Sequence, residues 1–191
     1  MILSRSEILA YIQDGRLRFT PTVPPERIAQ VSIDLLLGRK FTTFKKNPPA
    51  YISAIHVDPS LWESADLWDF YEGERFRLEP GQFVLAQTLE AVTIPNDLVG
   101  LVEGRSSFAR VGVTVHVTAP KIDPGFQGHV TLEMTNFGNM TVELRAELDQ
   151  PAQLMLIRLT SPIASPDLYG TGENDIFQYQ DDPIPRGKKP S

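Results

Sequence analysis

Between residues 111 and 135 the apolar side chains recur at every second position. Val111, Val113, Val115 and Val117 alternate with Gly112, Thr114, His116 and Thr118; Val130, Leu132 and Met134 alternate with Thr131, Glu133 and Thr135. A period of two puts the apolar set on one face of an extended strand and cannot form a helical stripe. Strand-like runs recur elsewhere, over residues 31–37 and 40–44 around Gly38, then 51–57, 82–88, 91–94 and 98–103. Breakers separate them, among them Asn47-Pro48-Pro49, Pro80-Gly81 and Pro95-Asn96-Asp97. Residues 152–159 are almost continuously apolar, as a strand covered on both faces would be. The chain is therefore expected to be mostly β, a sandwich or barrel-like fold.

One helix has a mechanism for its start. Ser4 and Glu7 stand at the two positions of a capping box, with Leu3 and Ile8 at the staple positions around it. Ile8, Leu9 and Ile12 form its stripe, and Gly15 can close it. Residues 58–73 are acidic and aromatic; with Trp62, Trp68, Phe70 and Tyr71 they read as a surface excursion whose aromatics pack back on the core. From Pro162 the chain turns polar and rich in Pro and Gly, and is expected to wrap the surface or a neighbouring subunit, or to be partly mobile. The expected division is a β domain over residues 1–161 and a tail over 162–191.

Composition narrows the chemistry. A length of 191 residues fits one domain. The absence of cysteine excludes disulfides, Cys-liganded zinc, iron–sulfur clusters and thiol nucleophiles. The three histidines have no metal-ligand spacing, so a zinc site is not expected. A net charge of −6 argues against coating nucleic acid or an anionic membrane, but leaves room for a small anion held by a few focused donors. No run approaches the ~18 apolar residues of a membrane span, and the first residues lack the apolar core of a secretory signal. The expected location is cytoplasmic.

Three segments are suited to chemistry. Gly104 to Arg110 follows one strand and precedes another, and is long enough for a turn or two of helix. Free backbone N–H groups, the Ser106 and Ser107 hydroxyls, and the Arg105 and Arg110 guanidinium groups suit phosphate oxygens; the alternative is a short capped helix whose arginines pair with surface carboxylates. The run from Thr118 to Gly128 reads as a hairpin that offers backbone edges to a nucleobase, Asp123 to a sugar hydroxyl, and Phe126 as a stacking surface. The plain alternative is a β-turn in which Asp123 satisfies its own backbone. Glu133 stands on the polar face of its strand; such a glutamate is either solvated or, in a closed cleft, desolvated into a proton shuttle.

In order and spacing, Arg105-Ser106-Ser107-Phe108-Ala109-Arg110, Thr118-Ala119 with Ile122-Asp123-Pro124-Gly125-Phe126, and Leu132-Glu133 resemble the dCTP deaminase branch of the trimeric dUTPase-like superfamily. The likeness runs from the opening helix to Leu159. It implies a distorted β-barrel of jelly-roll type with an N-terminal helix and a short central helix, assembled as a homotrimer with sites between subunits. It implies hydrolytic, zinc-free conversion of dCTP to dUTP and ammonia, supplying dUTP for dUMP and dTTP synthesis. By similarity Glu133 is the general acid/base, Ser106 and the Ala119 carbonyl orient the water, and Arg110 holds the serine side. Arg105, Ser106, Ser107, Phe108, Ala109 and Arg110 then bind nucleotide, Asp123 and the backbone of Thr131, Leu132 and Glu133 read sugar and base, and Gln153, Tyr169 and Gln178 fall at further ligand positions. Mg²⁺ is expected on the substrate triphosphate, and Lys121 is a third candidate for the phosphates.

Two departures from that pattern matter. Pro120 follows Ala119 where relatives tend to have His or Gly, which leaves open a bifunctional enzyme that also hydrolyses dUTP to dUMP. A non-catalytic nucleotide-binding homologue is a further alternative. The tail reads Gln178-Tyr179-Gln180-Asp181-Asp182 where a Lys usually precedes the Tyr. Two aspartates beside a triphosphate repel it, so either the tail closes differently or Lys188 and Lys189 contribute.

Overall fold

The computed structural model describes residues 1–46, 67–172, 175 and 177–184. The runs at 51–57 and most of 58–73, with Trp62, His56, Lys188 and Lys189, lie outside them.

The opening helix, α1 (Arg5–Gln13), starts as its sequence dictates. The Ser4 N–H and hydroxyl both donate to Glu7 Oε2, at 2.9 and 3.0 Å, and these bonds hold the Glu7 carboxyl below its ordinary range. Leu3 and Ile8 are fully buried around this cap, and Gly15 closes the helix at φ +69°.

The strands are β1 (Arg18–Thr20), β2 (Ser32–Leu35), β3 (Leu37–Phe44), β4 (Trp68–Glu72), β5 (Arg75–Leu78), β6 (Phe83–Thr93), β7 (Leu98–Gly104), β8 (Val113–Thr114), β9 (Lys121–Ile122), β10 (Gln127–Asn136), β11 (Val142–Arg145) and β12 (Ala152–Arg158), with a one-turn helix α2 (Ser106–Ala109) after β7. All pair antiparallel. One sheet runs β4-β3-β6-β10-β8 with β1 on the far end of β6, a second runs β2-β12-β7-β9, and β11 pairs β5. Ile8, Phe41, Val84, Leu132, Met134 and Leu154 meet in one core between the sheets and α1. The expected mostly-β, jelly-roll architecture with an N-terminal and a short central helix is what the chain adopts. Among the described residues no helix is long and apolar enough to cross a membrane.

Five local expectations need correction. The break near residue 38 falls at Leu36, whose N–H donates to Glu90 Oε2 at 3.0 Å instead of to a strand. Gly38 lies inside β3, where a Cβ would come within 3.0 Å of the Gln87 carbonyl oxygen. Runs 82–88 and 91–94 form one strand, β6, bulged in the middle: His129 pairs with Ala91 but Thr131 with Gln87, two steps on β10 against four on β6. At the bulge Glu90 is fully buried and takes its charge partner from Arg27. The alternation at 111–118 yields only the two-residue β8. Gly112 turns at φ +86° against Gly138, and the Val117 N–H goes to Glu133, so Val113 and Val115 are buried while Val111 and Val117 are exposed.

The fourth correction concerns β12, which is covered on one face only. Ala152, Leu154 and Leu156 are buried, while Gln153, Met155 and Ile157 are half-buried. Of the aromatics expected to pack inward, Trp68 is buried and stacks on Phe44 with ring centroids 4.3 Å apart, but Phe70 and Tyr71 are exposed.

Candidate active site

A cavity of 470 Å³ opens beside β10. The alternation of β10 sends Val130, Leu132 and Met134 toward the core and leaves Thr131 and Glu133 half-buried on the other face, where both line the cavity together with His129. The connection before β10 supplies His116, Ala119, Lys121 and Asp123, with Phe126 at the hairpin tip. Val102 and Leu85 form part of the apolar wall.

Glu133 is held in place by the irregular segment after β8, since its Oε2 accepts the Val117 N–H at 3.1 Å. Lys121 Nζ lies 2.6 Å from Asp123 Oδ1. Phe126 and Tyr169 meet with ring centroids 5.9 Å apart. Burial holds the Tyr169 phenol above its usual range, and its oxygen accepts the Phe177 N–H at 3.1 Å.

The tail sits over this cavity and supplies Phe177, Gln180 and Ile184 to its lining. Backbone and amide bonds seat it: the Tyr179 N–H donates to the Gln127 carbonyl at 2.8 Å, and Gln178 both accepts the Gln127 N–H and donates to the Gly125 carbonyl. Tyr179 takes φ +58° to make this turn. Lys40 Nζ donates to the Asp181 carbonyl at 2.8 Å and to Asp182 Oδ1 at 2.7 Å, so a lysine of β3 neutralises part of the tail's acid.

The Arg105–Arg110 turn lies elsewhere, and none of its residues lines the cavity. Arg105 is bound locally, to Gln150 Oε1 at 2.6 Å and Asp34 Oδ2 at 3.3 Å. Burial raises the Asp34 carboxyl above its ordinary range, while Arg105 and Arg27 pull it back down. Phe108 anchors α2 to the core; Ser106, Ser107, Ala109 and Arg110 are exposed, and the Arg110 guanidinium has no partner among the described residues. Gln153 accepts the Ser32 hydroxyl at 3.1 Å and reaches the Gly104 carbonyl, away from the cavity. The Leu132 side chain is in the core, leaving only its backbone for a ligand. Thus Ala119, Asp123, Thr131, Glu133 and Tyr169 converge, whereas residues 105–110 and Gln153 do not join them within one protomer.

Sequence reasoning did not select His116, His129, Phe177, Gln180 or Ile184. His129 had a readable signal, since it stands two and four positions before Thr131 and Glu133 in one alternating row. The tail residues had none, because their seating depends on main-chain bonds.

Among known proteins, a dCTP deaminase-like family model matches residues 2–159. A Halobacterium salinarum protein named dCTP deaminase, dUMP-forming, is 42% identical over 190 residues, covering 96% of this chain and 92% of its own. A Pectobacterium atrosepticum protein named dCTP deaminase is 42% identical over 186 residues, covering 95% and 94%. The crystal structure of a 2′-deoxycytidine 5′-triphosphate deaminase from Agrobacterium tumefaciens matches with a TM-score of 0.61 at 18% identity, over 81% of this chain and 47% of that one. The present chain therefore spans about half the length of that solved one.

Proposed function

The chain belongs to the dCTP deaminase-like family, and we propose that it hydrolyses the 4-amino group of dCTP, giving dUTP and ammonia. The observation that carries this reading is the convergence of Glu133, Ala119, Asp123 and Phe126 on one cavity. In the proposed reaction a water oxygen bonds to C4 of the base as Glu133 takes its proton. Glu133 delivers that proton to N3; it then takes the proton of the new C4 hydroxyl and passes it to the amine, the C4–N bond breaks as C4=O forms, and ammonia leaves. Oε2 is occupied by the Val117 N–H, which leaves Oε1 for the water. A positioned general base supplies about 10²–10⁴-fold; the remainder comes from orientation and from fixed dipoles aimed at the developing charge.

Orientation of the water falls to the Ala119 carbonyl and the Ser106 hydroxyl, with Arg110 beside it. Since α2 is exposed and none of its residues lines the cavity of its own protomer, the 105–110 turn completes the cavity of a neighbouring copy. A homotrimer meets that need, and its contact face is the outer side of β12 and β7. There the cross-strand pairs Met155–Leu101 and Ile157–Val99 leave apolar side chains half-buried. Asp123 and the backbone of Thr131–Glu133 read sugar and base; Tyr169 and the tail, as a lid over residues 1–161, close the site. Mg²⁺ arrives with the substrate, on the triphosphate, where it neutralises charge. The cysteine-free composition and a nucleoside triphosphate substrate fit a cytoplasmic enzyme.

Relatives carry both the simple name and the dUMP-forming one, which favours as second reading a further cleavage of dUTP. Purified protein incubated with dCTP and Mg²⁺ separates the readings. Ammonia with dUTP is the expected result, ammonia with dUMP and pyrophosphate supports the second, and binding without turnover refutes both.

A further inference from the structure

Among the described residues, three cation-capable side chains line the cavity, and two already face a carboxylate. Lys121 lies 2.6 Å from Asp123, and His116 Nε2 lies 3.3 Å from Glu103 Oε2. His129 has no carboxylate partner. Its Nδ1 is 2.9 Å from the Thr88 carbonyl oxygen. A carbonyl only accepts, so Nδ1 carries the proton and Nε2 is left without a protein partner.

This orientation is built into the sheet. The bulge in β6 takes Thr88 out of the regular ladder with β10 and turns its groups to other work. The Thr88 hydroxyl accepts the Val130 N–H at 3.0 Å and donates to the Glu90 carbonyl at 2.7 Å, while its own carbonyl holds the imidazole. His129, Thr131 and Glu133 then form one row along the cavity, ~13 Å from end to end at ~3.3 Å per residue. With the amine at Glu133 and the sugar at Asp123 and Phe126, as proposed above, the His129 end of the row is left for the phosphates. The described residues of the tail, 162–172, 175 and 177–184, include no Lys, Arg or His.

We propose that His129, through Nε2, contacts the phosphate end of the nucleotide and makes its binding depend on the charge of the imidazole. The proposal rests on the dCTP deaminase reading. A protonated ring donates a charge-assisted bond to a phosphate oxygen, and a neutral ring with its proton on Nδ1 cannot. The groups around it are Thr131 and Glu133 on β10, the Thr88 carbonyl and the Arg27-paired Glu90 on β6, Lys121 and Asp123 on the β9 side, His116, and Tyr169 with Gln180 from the tail.

His129→Asn keeps a donor for Thr88 and deletes Nε2, whereas His129→Gln keeps a neutral donor near Nε2. For the Asn variant, KM for dCTP rises about tenfold while kcat changes less than about threefold. The wild-type fall in kcat/KM from about pH 5.5 to 8 flattens in both variants, and the Gln variant recovers part of the KM without recovering the slope. A wild-type KM and wild-type pH profile in the Asn variant would overturn the proposal, because they would make the ring a structural part only. Should neither variant fold, a kcat/KM of the unaltered enzyme that stays level across that pH range overturns it equally. Ammonia from the wild type is followed alongside: no turnover there removes the functional reading and this inference with it, whereas an active wild type with unchanged variants removes only the role of His129.

Discussion

Strand β10 and the 105–110 turn both carry motifs of the family likeness, yet the fold treats them in opposite ways. β10 is paired with β6 along most of its length, and its alternation lifts Thr131 and Glu133 into a half-closed cavity. The 105–110 turn stands on an exposed single-turn helix, its first arginine tied to Asp34 and Gln150 and its last one without a side-chain partner among the described residues. The difference teaches that one chain brings together the carboxylate proposed to react and the Ala119 carbonyl, but not the Ser106 and Arg110 side chains proposed to act with them. A site divided in this way ties catalysis to assembly.

The sharpest way to break the comparison is at its rigid half. Glu133→Gln is expected to lower the rate of ammonia release by about 10²–10⁴-fold. Binding of dCTP, measured by calorimetry, should stay close to wild type, because the amide preserves the acceptor for the Val117 N–H. Substantial turnover by this variant would contradict the mechanism. At the exposed half, Arg110→Ala is expected to reduce kcat/KM by about ten- to a hundredfold, the scale of a lost charge-assisted contact. Thermal stability of that protomer should hardly move, since among the described residues the exposed guanidinium makes no hydrogen bond or ion pair. A large drop in melting temperature with intact kinetics would mean that Arg110 is an assembly residue instead.

The same contrast explains what the sequence made legible. α1 and β10 could be read because their patterns are local: a capping box with its staple residues, and strict alternation. Residues 111–118 alternate just as cleanly, but the Val117 N–H goes to Glu133 and the Gly112 carbonyl accepts the Phe137 N–H, neither of which local pattern can foresee. The β6 bulge was hidden for a related reason, since Glu90 looks like a surface residue until Arg27 and the Leu36 N–H claim it. In the site, Glu133, Ala119 and Asp123 were legible as motifs. The seating of Gln178 on Gly125 and Gln127, and the hold of Lys40 on Asp182, depend on a chain reversal that composition does not encode.

Co-expression of the Glu133→Gln and Arg110→Ala chains measures the division directly. In mixed oligomers some cavities combine an intact Glu133 from one chain with an intact Arg110 from another. Random assembly at equal amounts then restores about a quarter of wild-type ammonia release. A mixture no more active than its two parents would contradict a shared site and return the whole of catalysis to a single protomer.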